Sequence, residues 1–218
     1  MALFANLFKP QAPAPAPKPG PGKAGPVPAQ LPKITAPTAA QITQHFDPSP
    51  AARALLVEHQ TPSQFLSALQ EKQMGGEMVK TIAYGLPDRE GVLWAVLSAQ
   101  KVADNLPALD KQALRAAQTW LQNPLEANQT AAAAAAAATD YLGPGAWAAQ
   151  AAAWVRTVTP DGQPDDDAAV SRLTPQAVAA AVLVSATIKA KPLLAPTFAD
   201  HQYPLIALGL EIAAGKNA

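Results

Sequence analysis

No cysteine occurs in the 218 residues, which excludes a disulfide scaffold, a thiolate metal site and a cysteine nucleophile. Net charge is also missing: 16 basic side chains balance 16 acidic ones. No general pull toward nucleic acid or anionic lipid is therefore expected, and the five arginines form no basic stripe. Long hydrophobic runs are absent too. The longest uncharged apolar block, around Ala177–Ile188, holds 12 residues, short of the roughly 20 that span a bilayer. Histidine is scarce. His45, His59 and His201 never pair at helical spacing, so a zinc hydrolase motif is lacking. Asp161, Asp165, Asp166 and Asp167 do not follow calcium-loop order. With no nucleophile elbow, phosphate loop or dinucleotide fingerprint, the sequence is read as non-catalytic, with no cofactor and no metal.

What the chain has in quantity is proline and alanine. Of 23 prolines, 12 lie in the first 50 residues. Residues 1–46 carry Lys9, Lys18, Lys23 and Lys33 and no acid, whereas the remainder holds 12 basic and 16 acidic side chains. Opposite charge and different composition argue for a tail followed by one domain over 47–218. Residues 10–46, rich in Ala-Pro, are expected to form a disordered, solvated linker with polyproline character, roughly 35 Å long as a coil and about 110 Å fully extended.

Ahead of it, MALFANLFK places Leu3, Phe4, Leu7 and Phe8 on one face of a short helix. It lacks the basic start and cleavage site of a signal peptide. Residues 1–9 read as a short apolar docking peptide that folds into a partner's groove. The alternatives are a disordered start with incidental aromatics, or a segment that packs back on its own domain.

The body predicts an all-α, compact, non-repeating bundle of about eight helices. Ser49-Pro50, Thr61-Pro62 and Thr174-Pro175 each read as an N-cap followed by proline at the first helical position. Further helices are expected over about 76–84, 87–104, 108–122, 125–141, 144–156 and 198–214, with Gly215 as the last stop. The octa-alanine run Ala131–Ala138 has maximal helix propensity and almost no bulk, so it suits close helix approach. Trp94, Trp120, Trp147 and Trp154 are the bulky knobs. They read as core anchors whose indole N–H groups reach carbonyls, or as an aromatic-lined groove. Arg89 and Glu90 fall in a first turn. They read as partner contacts, or, for the arginine, as a pair with a neighbouring helix's acid or carbonyls.

The stretches GLPDREGVLWAVLSAQ, AAQTWLQNPLEANQTAAAAAA, GPGAWAAQAAAW and LTPQAVAAAVLVSA resemble an uncharacterised bacterial all-helical family, a domain of unknown function. The resemblance covers about 50–214. Its matching positions are Leu86-Pro87, Arg89-Glu90, Trp94, Trp120, Pro124, Trp147 and Trp154; VRTVTPDG after Trp154 departs from the expected turn. It implies a loose link to secretion-system gene clusters, including type VI, and no catalytic residues. The resulting expectation is a cytoplasmic accessory or adaptor protein that binds protein partners through the tethered peptide and a helical surface. The alternative is a small-ligand or regulatory module with a pocket between helices near Trp94 and Trp120.

Overall fold

The structure is a computed structural model that describes residues 25–155, 173–189 and 198–216. Every regular element among them is helical. Two short turns open the chain, α1 (Ala39–Thr43) and α2 (Pro50–Arg53). Eight longer helices follow: α3 (Pro62–Glu71), α4 (Gly75–Gly85), α5 (Asp88–Gln100), α6 (Ala108–Gln122), α7 (Glu126–Ala137), α8 (Pro144–Trp154), α9 (Leu173–Lys189) and α10 (Phe198–Ala213). The all-α bundle expected from sequence is what forms.

Local chemistry sets the boundaries. Thr61 and Gln64 make a reciprocal capping box at the start of α3, and Ser49 Oγ accepts from Ala52 N at the start of α2. Gly215 adopts φ +75, its N–H reaches Ile212 O, and Lys216 N–H reaches Glu211 O. That is a Schellman stop for α10.

Several expected boundaries move. The helix foreseen after Ser49 lasts one turn, because Leu55 and Leu56 fold back toward the core. The single helix over 87–104 is interrupted after Gln100; Val102 turns inward and a 3₁₀ turn, Ala103–Asn105, follows. α7 stops at Ala137, since Asp140 and Tyr141 both take positive φ (53 and 58). Helix α9 already includes Leu173, so Thr174 and Pro175 lie in its first turn rather than at a cap. Pro204 sits in the second turn of α10.

Helices α8 and α9 form the centre. α8 packs on α5, α6, α7 and α9, and α9 packs on α4, α5, α8 and α10. Both are apolar on nearly every side, as a helix surrounded by others must be. Ala146, Ala148, Ala149, Ala151 and Ala152 of α8 are buried, as are Ala177, Val178, Ala181, Val182 and Ala186 of α9. Trp94 fills the space beside them. It is fully buried, and its indole N–H donates to Leu205 O at 2.8 Å. A Cβ on Gly209 would lie 2.6 Å from the Trp94 ring, so this glycine is what lets α10 rest on the indole.

One expected domain boundary is corrected. In place of a linker over the whole of 10–46, residues 25–46 lie against the bundle as a strap. Leu31, Ile34, Ala39 and Ile42 are buried in the common core. Lys33 N–H donates to Ala213 O at 3.0 Å, Ser63 Oγ–H to Pro28 O at 2.6 Å, and Gln70 Nε2–H to Gly25 O at 3.2 Å. Proline content hid this, because the apolar set Leu31, Ile34 and Ile42 is sparse but sufficient to anchor the segment. The docking peptide over 1–9 and the linker over 10–24 lie outside the described residues.

Two measurements test this arrangement. Gly209→Ala should cost about 1–3 kcal/mol of unfolding free energy, the usual penalty of overpacking, and less in a Trp94→Phe background. Removal of residues 1–24 should leave the denaturation midpoint close to that of the full chain. Removal of 1–46 should lower it strongly, because it uncovers the faces that Ile34 and Ile42 fill.

Candidate functional site

Two surface regions stand out, the first of which holds Arg89 and Glu90. The first is an open groove of about 310 Å³ lined by Lys33, Arg89, Glu90, Leu93, Leu121 and Ile212, together with Gln122. Arg89 and Glu90 lie in the first turn of α5, where Glu90 complements the helix dipole. Arg89 Nη2–H donates to Leu121 O at 3.1 Å and so takes up a carbonyl in the last turn of α6. Lys33 Nζ meets Glu90 Oε1 at 3.0 Å, joining the strap to α5. The three charged groups are thus engaged within the molecule, above a floor of Leu93, Leu121 and Ile212. Chemically the groove offers an exposed guanidinium edge over an aliphatic base, which suits the carboxylate or phosphate end of an amphipathic molecule.

The groove is not the pocket anticipated beside the tryptophans. Trp94 and Trp120 are buried and face the core, while their chain neighbours Leu93 and Leu121 face the groove. Trp147 and Trp154 are half-buried on α8. Tyr141 and Trp147 rings approach with centroids 5.8 Å apart.

The second region is the end of the bundle where α6, α7 and α8 meet. It is organised by Asp110, which is buried in the first turn of α6. Its Oδ1 accepts from Ala146 N–H at 2.7 Å and its Oδ2 from Gly145 N–H at 3.2 Å. Gly143, the residue at the α8 N-cap position, has no side chain to offer, so Asp110 caps α8 from another helix. Two helix N-termini converge on this one carboxylate, and their dipoles favour its charge. Glycine is required at 143 and 145, because a Cβ at either position would run into Asp110.

Three exposed apolar side chains flank this buried anchor in sequence. Leu109 precedes Asp110 and is 51 % exposed; Leu142 precedes Gly143 and is 81 % exposed. Tyr141 beside it is exposed and has a left-handed backbone. Sequence reasoning took neither Asp110 nor this turn as functional. The available signal was an acid two residues into a helix after Pro107, and an apolar Tyr-Leu pair within a Gly-Pro turn. Lys33, one of the four lysines of the acid-free first 46 residues, belongs to the groove instead of a free tail. Leu3, Phe4, Leu7 and Phe8 lie outside the described residues.

A third groove, about 400 Å³, is lined by Pro26, Val27, Ser67, Gln70, Glu71, Gln73 and Tyr203. Burial raises the pKa of the Tyr203 phenol. Among the described residues no group of three or more His, Asp or Glu could hold a metal ion.

Asp110→Ala should remove about 2–3 kcal/mol of stability, since it deletes a charge-assisted cap from two buried N–H groups. Denaturant unfolding reads the loss, and hydrogen exchange should speed up at Gly145 and Ala146. Arg89→Ala, at an exposed side chain, should cost less than about 1 kcal/mol.

No curated protein and no solved structure matches the chain. The profile of one family, described as a family of unknown function (DUF6931), matches residues 65–213. That span runs from the middle of α3 through the last residue of α10, and the chain therefore belongs to this family of unknown function.

Proposed function

We propose that the protein is a non-catalytic accessory or adaptor component of a bacterial assembly, acting in the cytoplasm and binding protein partners rather than nucleic acid. The observation that carries this reading is the apolar end built on Asp110. Leu142 is 81 % exposed next to the exposed Tyr141, and Leu109 is exposed next to the Asp110 that caps the helix following them. Here the turn is held in place by buried hydrogen bonds, so the ordering cost of docking is already met within the monomer. The second contact is the peptide bearing Leu3, Phe4, Leu7 and Phe8, joined to the strap at Gly25. Two contacts on one chain reinforce each other through effective concentration. A secretion apparatus is the assembly that the family resemblance suggests. No helix among the described residues is long and apolar enough to cross a membrane.

The groove between Lys33, Arg89 and Leu93 favours a second reading, a regulatory module for a small amphipathic anion. Octanoate or a comparable acyl carboxylate should then raise the melting temperature, and Arg89→Ala should abolish the rise.

In-cell photo-crosslinking separates these readings. Photoreactive residues at Phe4 and at Leu142 should capture the same partner. Leu109→Ser with Leu142→Ser, both at exposed sites, should leave stability within about 0.5 kcal/mol yet lower capture at least fivefold. Unchanged capture in that variant and in one lacking residues 2–9 would refute the adaptor role.

A further inference from the structure

The groove of about 400 Å³ lies along the C-terminal half of α3. Glu71, the last residue of that helix and an exposed one, is the charged side chain among its described lining residues. Gln70 and Gln73 add carboxamides, Tyr203 adds a phenol, and Pro26 and Val27 bring the strap to its edge. A carboxylate set among amide and hydroxyl oxygens suits a primary ammonium, which has three protons to donate. An anion would meet like charge at Glu71.

The course of the strap shows where such an ammonium comes from. Ser63 Oγ–H donates to Pro28 O and Gln70 Nε2–H to Gly25 O, so the strap runs antiparallel to α3. Gly25 and Val27 each precede a proline, which biases them to extended backbone. Three residues of extended, proline-bearing chain cover about 9 Å. The seven positions from Ser63 to Gln70 cover about 10 Å of helix, so the strap follows α3 without slack. Ala24 and Lys23 are the next two residues back. On the same course they add about 6 Å, or about four helical positions. That brings the Lys23 backbone level with Gln73 and Met74, within one turn of Glu71.

Other lysines are worse placed. Lys18 is five residues further from the strap, beyond Pro19 and Pro21. Lys191 lies two residues past the end of α9, whose main contacts are with α4, α5, α8 and α10 rather than α3. Lys72 neighbours Glu71 in sequence but does not line the groove.

We propose that Ala24 and Lys23 continue the strap into this groove, with the Lys23 ammonium paired to the Glu71 carboxylate. The linker ahead of the body then runs only from Pro10 to Gly22 and leaves the molecule at the turn between α3 and α4. The inference holds whether or not the chain is an adaptor, because no partner enters it.

Backbone ¹⁵N relaxation on the full-length chain tests it. Order parameters at the Lys23 and Ala24 amides should match that of Val27 in the strap, about 0.8, and exceed that of Ala14, below about 0.6. One exposed ion pair contributes little by itself, so charge reversal is the sharper change. Glu71→Lys should bring both amides below about 0.6 and leave Val27 as it was. Adding Lys23→Glu to that variant should restore them, and adding Lys18→Glu should not. Amides at 23 and 24 that resemble Ala14 in the unaltered chain, no response to Glu71→Lys, no rescue by Lys23→Glu, or rescue by Lys18→Glu would each overturn the proposal. So would order at Lys23 that is lost on dilution, which would assign the groove to the tail of a second copy.

Discussion

Alanine imposes the constraint on which this fold depends. An alanine methyl removes little apolar surface from water, on the order of 0.8 kcal/mol per carbon, so α8 and α9 stabilise the protein only if neighbouring helices come close to their axes. The structure meets that demand at particular points. A Cβ on Gly145 would collide with the Asp110 backbone, and one on Gly91 would lie 3.3 Å from Val178. Close rods leave irregular gaps at their edges, and the large residues Trp94, Phe65, Ile82 and Ile206 are buried around them. Trp94 is the clearest case, because it adds a hydrogen bond to the Leu205 carbonyl where its neighbours add only volume.

The same composition creates a second difficulty. A helix built of alanine carries no polar side chains to satisfy its own terminal N–H and C=O groups. Here those groups are met from elsewhere in the chain. Asp110 of α6 caps the start of α8, and Gln129 of α7 donates to Ala152 O and Val155 O at its end. Arg89 of α5 donates to a carbonyl in the last turn of α6. The strap does the same for α10, whose final carbonyl at Ala213 accepts from Lys33 N–H. These four contacts between elements therefore have a local cause in helix ends that lack caps of their own.

Much of this was legible in the sequence, and the division follows the physics. Helix type and several boundaries could be read because periodicity, the Ser49-Pro50 and Thr61-Pro62 starts and Gly215 act within a few residues. The capping box at Thr61 and the Schellman stop at Gly215 are of that kind. What escaped reading depends on partners distant in sequence. Nothing near Asp110 indicates that its carboxylate serves a helix 35 residues on. Nothing near Lys33 indicates Glu90 or Ala213. The proline-rich composition of the first 46 residues averaged over two different regions, and the four apolar side chains that hold 25–46 to the core were outvoted by their surroundings. For Arg89, the carbonyl pairing read from sequence as an alternative is the one that forms, at Leu121 O; the strap lysine that engages Glu90 lies 57 residues away and leaves no local signal.

The match to the family begins at Phe65, within α3, whereas among the described residues the buried core already includes Leu31. These two boundaries answer different questions. Sequence similarity marks where residues recur in a recognisable order; a cooperative folding unit includes every segment whose removal exposes core. The strap meets the second criterion through Ile34, Ile42 and Lys33, and it contacts residues inside the matched span, Glu90 and Ala213. The unit that folds is therefore longer than the span that is matched. At its first described residue it is tied to α3, where Gln70 Nε2–H donates to Gly25 O.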